Sequence, residues 1–447
     1  MPRKSVAMPQ GTKSERILSH ELAGHVGERV RVSGWIHRRR LLKSVAFLIL
    51  RDAGGLAQIV VTEPNARALL ESLPEETTVA VVGAVTENAV APGGVELTAP
   101  TISALGDPAV APPFDLYRPR ITASQPTILD HAPVALRHPR LAAIHRIGAA
   151  AVAGFRAALD EQSFVEIFTP KIVGTATESG ANVFRIDYFG RQAFLAQSPQ
   201  FYKQIMVGVF ERVYEVGRVF RAEPSDTGRH LSEYTSLDAE MGFVSDHRDV
   251  MAACRDAVAG MIDAVWERAP RECELLGIER PALPADVPVV QFTDVLARYA
   301  AATGHDVTGE TDFSPAHERF IGEWALAEHG SDFVFVEGYP TKSRAFYTHP
   351  DPARPGYSRG FDLIFRGLEL VSGAQRLHRY DDYVDVLAAR GETDLTPYAG
   401  YLDAMRHGMP PHGGFAFGLE RFLARLVGAS NVREVALFPR DLHRVAP

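Results

Sequence analysis

The chain has 447 residues, 46% of them hydrophobic and 23% charged, which is room for roughly two or three domains with real cores and excludes an intrinsically disordered chain. A net charge of −8 excludes a globally basic nucleic-acid coat but leaves a local basic surface open, and no run approaches the roughly 18 apolar residues that a membrane helix needs. MPRKSVAMPQGTKSER lacks the apolar centre of a secretory signal, and Cys254 and Cys273, without metal-ligand spacing, point to free thiols in a reducing cytoplasm.

Residues 1–16 read as a flexible N-terminal extension. Over 17–105 the runs VRVSGWI, VAFLILRD, LAQIVV, TTVAVVGAV and VELTAP are rich in β-branched residues and separated by turns such as DAGG and PGG, which predicts short strands. Five of them in so short a span predict a small barrel of the oligonucleotide-binding (OB-fold) type. RRRLLK at 38–43 suits either a solvated strand end or a nucleic-acid backbone. Residues 106–139 are Pro-rich and aperiodic, as in a hinge or linker.

From 140 onward, LAAIHRIGAAAVAGFRAALDEQ has the apolar spacing of one long helix. FVEIFTPKIV predicts a strand ended by Pro170, and AFLAQSPQFYKQIMVGVF a strand, a turn and a helix beginning at Ser198-Pro199. RVYEVGRVFRAE and SLDAEMGFV predict adjacent antiparallel strands joined by the loop 224–234. Residues 245–330 read as mostly helical, with a Pro-rich break near 281–288. GFDLIFRGLELVSGAQRL adds two strands, and FAFGLERFLARLVG a strand running into a helix. Strands and helices without a βαβ rhythm predict an α+β domain over 140–447, an antiparallel sheet flanked by helices.

Arg221, Glu223, Arg229, His230, Glu369, Arg376 and Arg421 sit in or beside these strand runs among apolar neighbours. Half-buried charges need partners, so the set is either a network of ion pairs or the lining of a charged ligand site. Planar guanidinium groups suit a polyphosphate, and carboxylates beside them suit Mg2+. Neither GxxxxGK[ST] nor a strand-borne GxGxxG occurs, which excludes the common nucleotide cradles.

QSPQFYKQ, FRAE…RHLSEY…LDAEM, FDLIFRGLELVSGAQRLHRY and GMPPHGGFAFGLERF, placed after a barrel and a hinge, resemble the class II aminoacyl-tRNA synthetases and, within them, the compact aspartyl-tRNA synthetases. The resemblance covers nearly the whole chain beyond its N-terminal extension. It implies ATP and Mg2+ as cofactors, L-aspartate and tRNA(Asp) as substrates, and a homodimer with Pro170 at the interface. By the same implication Arg376 pairs with the aspartate side chain with support from Lys203, Glu178 and Asp238 hold its ammonium group, Gln200 orients it, and Ser372 lies beside it. Arg221 and Arg421 are the catalytic arginines, Arg221 on the α-phosphate and the attacking carboxylate, Arg421 at the γ-phosphate end. Glu223, Arg229, His230, Leu231, Glu369, Phe417, Gly418, Leu419 and Glu420 complete the ATP site, and Asp362, Glu369 and Ser372 match the family's Mg2+ positions.

In the barrel, the resemblance implies anticodon contacts by Arg38, Gln58 and Phe47; Phe47 is either a stacking platform or a core aromatic. His37, two residues after Trp35, and Pro92 match the relaxed form of the family, which charges both tRNA(Asp) and tRNA(Asn); the discriminating form carries Trp and Lys there. A relaxed enzyme implies a separate tRNA-dependent amidotransferase that converts Asp-tRNA(Asn). The alternatives are a discriminating aspartyl enzyme, an asparaginyl enzyme, and a synthetase-like paralog that does not aminoacylate. Lys203 and SGAQRLHRY speak for a carboxylate substrate. Three departures stand out: Asp226 adds negative charge near ATP, ESGAN replaces an EGGT-like run, and the barrel lacks the usual Asp-Leu-Gly turn.

Overall fold

The computed structural model describes residues 15–175 and 182–446. The extension expected over 1–16 therefore lies mostly outside the described residues. The chain divides into two compact units, Met1–Pro139 and Arg140–Pro447.

In the first unit β1 (Arg29–Leu41), β2 (Ala46–Asp52), β3 (Gly55–Val61), β4 (Thr78–Glu87) and β5 (Val95–Ala104) close into a barrel in the order β1-β2-β3-β5-β4. Side chains alternate across the wall, so Val30, Val32, Leu48, Leu50, Ile59 and Val61 fill the interior while their neighbours face out. The strand runs thus form the OB-type barrel that their spacing predicts. Helix α1 (Pro64–Ser72), which the strand pattern did not reveal, packs Ala66 and Leu70 onto that interior. Residues 106–139 differ from the aperiodic linker expected. They contain α2 (Gln125–Asp130) and α3 (Ala132–Ala135), each with Pro in its first turn, where a missing N–H costs nothing.

From Pro139 the chain runs through α4 (Pro139–Glu161), β6 (Val165–Glu166), β7 (Ile172–Val173), β8 (Arg185–Tyr188), β9 (Arg191–Leu195) and α5 (Gln200–Phe210). Then come β10 (Arg212–Phe220), β11 (Glu233–Gly242), α6 (His247–Arg268), α7 (Pro270–Leu276), β12 (Val289–Gln291), α8 (Phe292–Thr303) and α9 (Pro315–His329). The remainder is β13 (Phe333–Glu337), β14 (Gly360–Phe365), β15 (Leu368–Gln375), α10 (Tyr380–Ala389), α11 (Ala399–Arg406), β16 (His412–Gly418) and α12 (Leu419–Val427). Eight strands form one sheet in the order β12-β13-β14-β15-β16-β11-β10-β6, antiparallel except for the outermost pair at each edge. FVEIFTPKIV departs from the single strand expected: β6 joins this sheet, β7 joins a separate sheet β7-β9-β8, and Pro170 lies in the break between them. Proline cannot donate to a ladder, so it divides the run instead of ending it. α4 and α6 cover the large sheet with a continuous apolar core.

Glu337 on β13 is only 3% exposed. Burial pushes its carboxyl up, but hydrogen bonds from His247 (2.7 Å) and Arg248 (2.8 Å) outweigh burial and hold it at about 2, below the usual 4.5. A depressed carboxyl contributes stability that is present above the unfolded value and is lost as pH falls toward the folded one. Glu337→Gln is therefore expected to destabilise the protein by on the order of 3 kcal/mol at pH 7, with variant and wild type converging between pH 4.5 and about 2. Urea unfolding at stepped pH measures it, and a pH-independent gap would contradict the linkage.

Candidate active site

The central strands β15, β16 and β11 floor a cavity of about 400 Å3. On β11 the alternation sends Tyr234, Ser236 and Asp238 into the cavity and Leu237, Ala239 and Met241 into the core. On β15, Glu369 and Ser372 both line the cavity although their odd separation would place them on opposite faces. A β-bulge resolves this: Leu363 pairs with Val371 and Ile364 with Glu369, so Leu370 is an extra residue that resets the alternation.

One end of the cavity is rich in arginine. Arg221 lies over the Tyr234 ring at 5.6 Å and 4.0 Å from Glu223. Arg229 donates to both oxygens of Glu318 on α9, at 2.8 and 2.7 Å, and Arg421 Nη1 donates to the Glu369 carbonyl at 3.3 Å. His230 stands among them; burial, then Arg421, Arg229 and Arg221, lower its pKa and keep the ring neutral. With Leu231 also on the wall, three convergent guanidinium groups around a neutral imidazole make a site for a polyanion.

Glu369 has the opposite problem. Burial and the neighbouring Asp362, with a smaller push from Glu318, raise its carboxyl to about 7 against Arg421 and Arg344. A divalent cation would relieve that strain, and the Ser372 hydroxyl lines the same wall, so these two residues fit Mg2+ arriving with phosphates. Asp362 does not fit. Its carboxylate takes Arg344 in a two-pronged pair at 3.0 and 2.6 Å and does not line the cavity. Among the described residues no group of three or more His, Cys, Asp or Glu is arranged to hold a metal by itself.

The other end holds Gln200, Asp238 and Arg376. Arg376, 5% exposed, donates from Nε to Glu240 Oε1 at 2.9 Å and from Nη2 to the Gly414 carbonyl at 2.9 Å. Burial pushes the Glu240 carboxyl up, but Arg376 and Lys203 outweigh it and hold it below its usual range. Position 414 must be glycine, because a Cβ would stand inside the Glu240 carboxylate and against the Ala239 carbonyl. The buried Nε2 of Gln200 has no protein partner among the described residues.

Several expected residues act differently. Lys203 lies beneath the floor, 1% exposed, with Nζ 3.2 Å from Asp238 Oδ1, 3.2 Å from the Phe415 carbonyl and 3.4 Å from Glu240. It does not line the cavity; a fully buried ammonium needs carboxylates, and it positions Asp238 and Glu240. Phe417 and Gly418 line the cavity as expected, the Phe417 ring also packing against Phe155, whereas Leu419 packs onto the core and does not line it. Glu420 reaches the wall yet spends both oxygens on the Thr235 N–H, at 3.1 Å each. Asp226 turns away from the cavity to Arg433 at 2.7 Å, so its charge is neutralised there instead of facing ATP. Glu178 and most of ESGAN lie outside the described residues. Sequence motifs did not reveal Glu318, 89 residues from its partner Arg229 and on a helix without a signature. Tyr234 and Ser236 were recoverable from strand alternation around Asp238, and Glu240 by extending it.

On the barrel, Phe47 is half-buried and pairs with Arg40 and Val60 on the outer face, so it is not a core aromatic. Gln58 faces the same way and donates to Glu96 at 2.8 Å; Arg38 lies 3.6 Å over the Tyr117 ring. Pro92 is exposed in the turn before β5. His37 is the extra residue of a bulge between Ile36 and Arg38 and is only 5% exposed. Its Nδ1 is 3.1 Å from Arg51 Nη1, and burial and then Arg51 lower its pKa to about 4, so the ring is neutral.

Residues 124–442 match the family of class II tRNA synthetases (D, K and N), and residues 30–105 match the OB-fold nucleic acid binding domain. The aspartate–tRNA(Asp/Asn) ligase of Thermus thermophilus is 45% identical over 433 residues, 97% of this chain and 100% of that protein. The enzyme of the same name from Deinococcus radiodurans is 43% identical over 443 residues, 97% and 99% of the two chains. Among solved structures, asparaginyl-tRNA synthetase from Pyrococcus horikoshii complexed with asparaginyl-adenylate matches with a TM-score of 0.90 at 29% identity, covering 97% of this chain and all of that one.

Proposed function

The chain belongs to the class II tRNA synthetases of the D, K and N group, and from that premise we propose that it attaches L-aspartate to both tRNA(Asp) and tRNA(Asn) at the expense of ATP. The observation that carries the amino acid is Arg376, whose guanidinium lines one end of the cavity and is braced from below by Glu240. A planar fork held in that way suits a carboxylate better than the amide of asparagine.

ATP lies with its phosphates among Arg221, Arg229 and Arg421, and aspartate occupies the Arg376 end. An α-carboxylate oxygen of aspartate attacks the α-phosphorus, the bond to the bridging oxygen breaks, and pyrophosphate leaves. Arg221 neutralises charge developing on the α-phosphate; no protein nucleophile takes part, and positioning supplies most of the rate. Mg2+ held by Glu369 and Ser372 would neutralise phosphate charge. The 3′-hydroxyl of the terminal adenosine of the tRNA then attacks the mixed anhydride and AMP leaves. Phe47, Gln58 and Arg38 on the outer barrel face receive anticodon bases by stacking and hydrogen bonding. Asp-tRNA(Asn) made in this way is the substrate of a tRNA-dependent amidotransferase, and these partners put the enzyme in the cytoplasm.

Charging assays with labelled aspartate against tRNA(Asp) and tRNA(Asn) transcripts, with asparagine as control, test the proposal. Comparable charging of both is expected; charging of tRNA(Asp) alone removes the relaxed specificity, and charging of neither removes the activity.

A homodimer is part of the same proposal, supported by apolar side chains left in water on the second unit: Phe168 is 82% exposed, Phe243 70% and Val209 62%. Phe168→Glu is expected to shift the sedimentation coefficient from dimer to monomer at micromolar concentration. An unchanged dimer would place the interface elsewhere.

A further inference from the structure

The loop between β10 and β11 supplies Arg221, Glu223, Arg229, His230 and Leu231 to the cavity wall, yet it has no strand or helix of its own. What fastens it is the segment after α12. Arg433 lies at the junction, 7% exposed. Its Nη2 donates to Asp226 Oδ1 at 2.7 Å, its Nη1 to the Thr227 carbonyl at 3.0 Å, and its Nε to Asp441 Oδ2 at 2.5 Å. Two backbone bonds run alongside, Val432 N to the Gly228 carbonyl at 2.8 Å and Ser232 N to the Arg440 carbonyl at 2.8 Å. Val432 itself lines the cavity. The guanidinium spreads its donors over three nitrogens that face separate acceptors, whereas a lysine at 433 would have to serve them from a single nitrogen. The two carboxylates differ: the Asp441 side chain is 8% exposed and belongs to the anchor, whereas that of Asp226 is 50% exposed and belongs to the loop.

We propose that Arg433 is a positioning residue for ATP binding, latching the loop through Asp226 so that Arg229, His230 and Leu231 hold their places on the wall. The latch rests on the nucleotide site proposed above. Neither residue of the Asp226–Arg433 pair lines the cavity, so any effect on ATP passes through the loop. Asp226 is the position that the sequence marks as unusual, and the latch gives it a use: aspartate accepts a charge-assisted bond that asparagine meets only as a neutral partner.

ATP–pyrophosphate exchange on the full-length protein tests this with Asp226→Ala, Arg433→Lys and the double variant. Asp226→Ala and Arg433→Lys are each expected to raise KM for ATP about tenfold, which is about 1.4 kcal/mol, with KM for aspartate within about twofold of wild type. The double variant is expected to be no worse than the poorer single one, since both remove one interaction. Trypsin cleavage after Arg229 is expected to speed up in both single variants, and in Asp226→Ala to do so at unchanged melting temperature, a readout independent of activity. Unchanged KM for ATP and unchanged cleavage in Asp226→Ala would overturn the latch, as would an equal rise in both KM values, which marks general loosening. If Arg433→Lys fails to fold, Asp226→Ala, on an exposed side chain, decides alone. A wild type that exchanges no pyrophosphate would instead overturn the nucleotide site itself.

Discussion

Arg376→Ala is expected to lower kcat/KM for aspartate about a thousandfold in pyrophosphate exchange while leaving KM for ATP near its wild-type value. The variant removes the group proposed to face the substrate carboxylate and at the same time strips Glu240, 0% exposed, of its main counter-charge. Truncating one partner of a buried, hydrogen-bonded charge pair costs roughly 2–5 kcal/mol, and about 4 kcal/mol corresponds to a thousandfold. Arg376→Lys is expected to recover little, because a single ammonium nitrogen cannot span acceptors that Arg376 reaches from separate nitrogens, Nε for Glu240 and Nη2 for the Gly414 carbonyl, and still present a flat fork to a substrate carboxylate. A loss under tenfold, or an equal loss of ATP binding, would move the aspartate pocket elsewhere in the cavity.

Arg221→Ala is expected to act on turnover: kcat for adenylate formation falls by about 10² to 10³, with KM for aspartate little changed. Removing one donor aimed at developing charge has effects of that size. Arg221 lies over the Tyr234 ring on the same strand that carries Asp238, which places it between the arginine-rich end and the aspartate end. A rise in KM with unchanged kcat would reduce it to a ground-state anchor.

Much of this was legible in one sequence because the signals were local. Alternation in VRVSGWI and VAFLILRD reflects one face in a core and one in water, and GGFAFGLERF carries its strand-to-helix transition within a few residues. Arg221, Arg229 and His230 sit at a strand end and in a loop, and Arg421 in the first turn of α12, where a polar side chain among apolar neighbours has few structural uses. The failures were of position in space. Lys203 and Asp362 belong to polar motifs, but whether a charge faces a ligand or another charge depends on partners far along the chain: Glu240 for the one, Arg344 for the other. The bulge at His37 was not legible either, because one extra residue in a strand leaves no mark on composition. Leu370 is the same device on β15, where it brought Glu369 and Ser372 together instead of apart.

The position of β16 has a consequence for how the protein is made. This last strand of the sheet lies at its middle, between β15 and β11, rather than at an edge. A nascent chain that has emerged only as far as α11 holds two half-sheets with unpaired inner edges and no common floor. Pairing across such sequence separations is slow, and open edges invite association with other chains. During synthesis the cleft therefore closes in a single late event, when residues 412–418 pair with both inner edges at once.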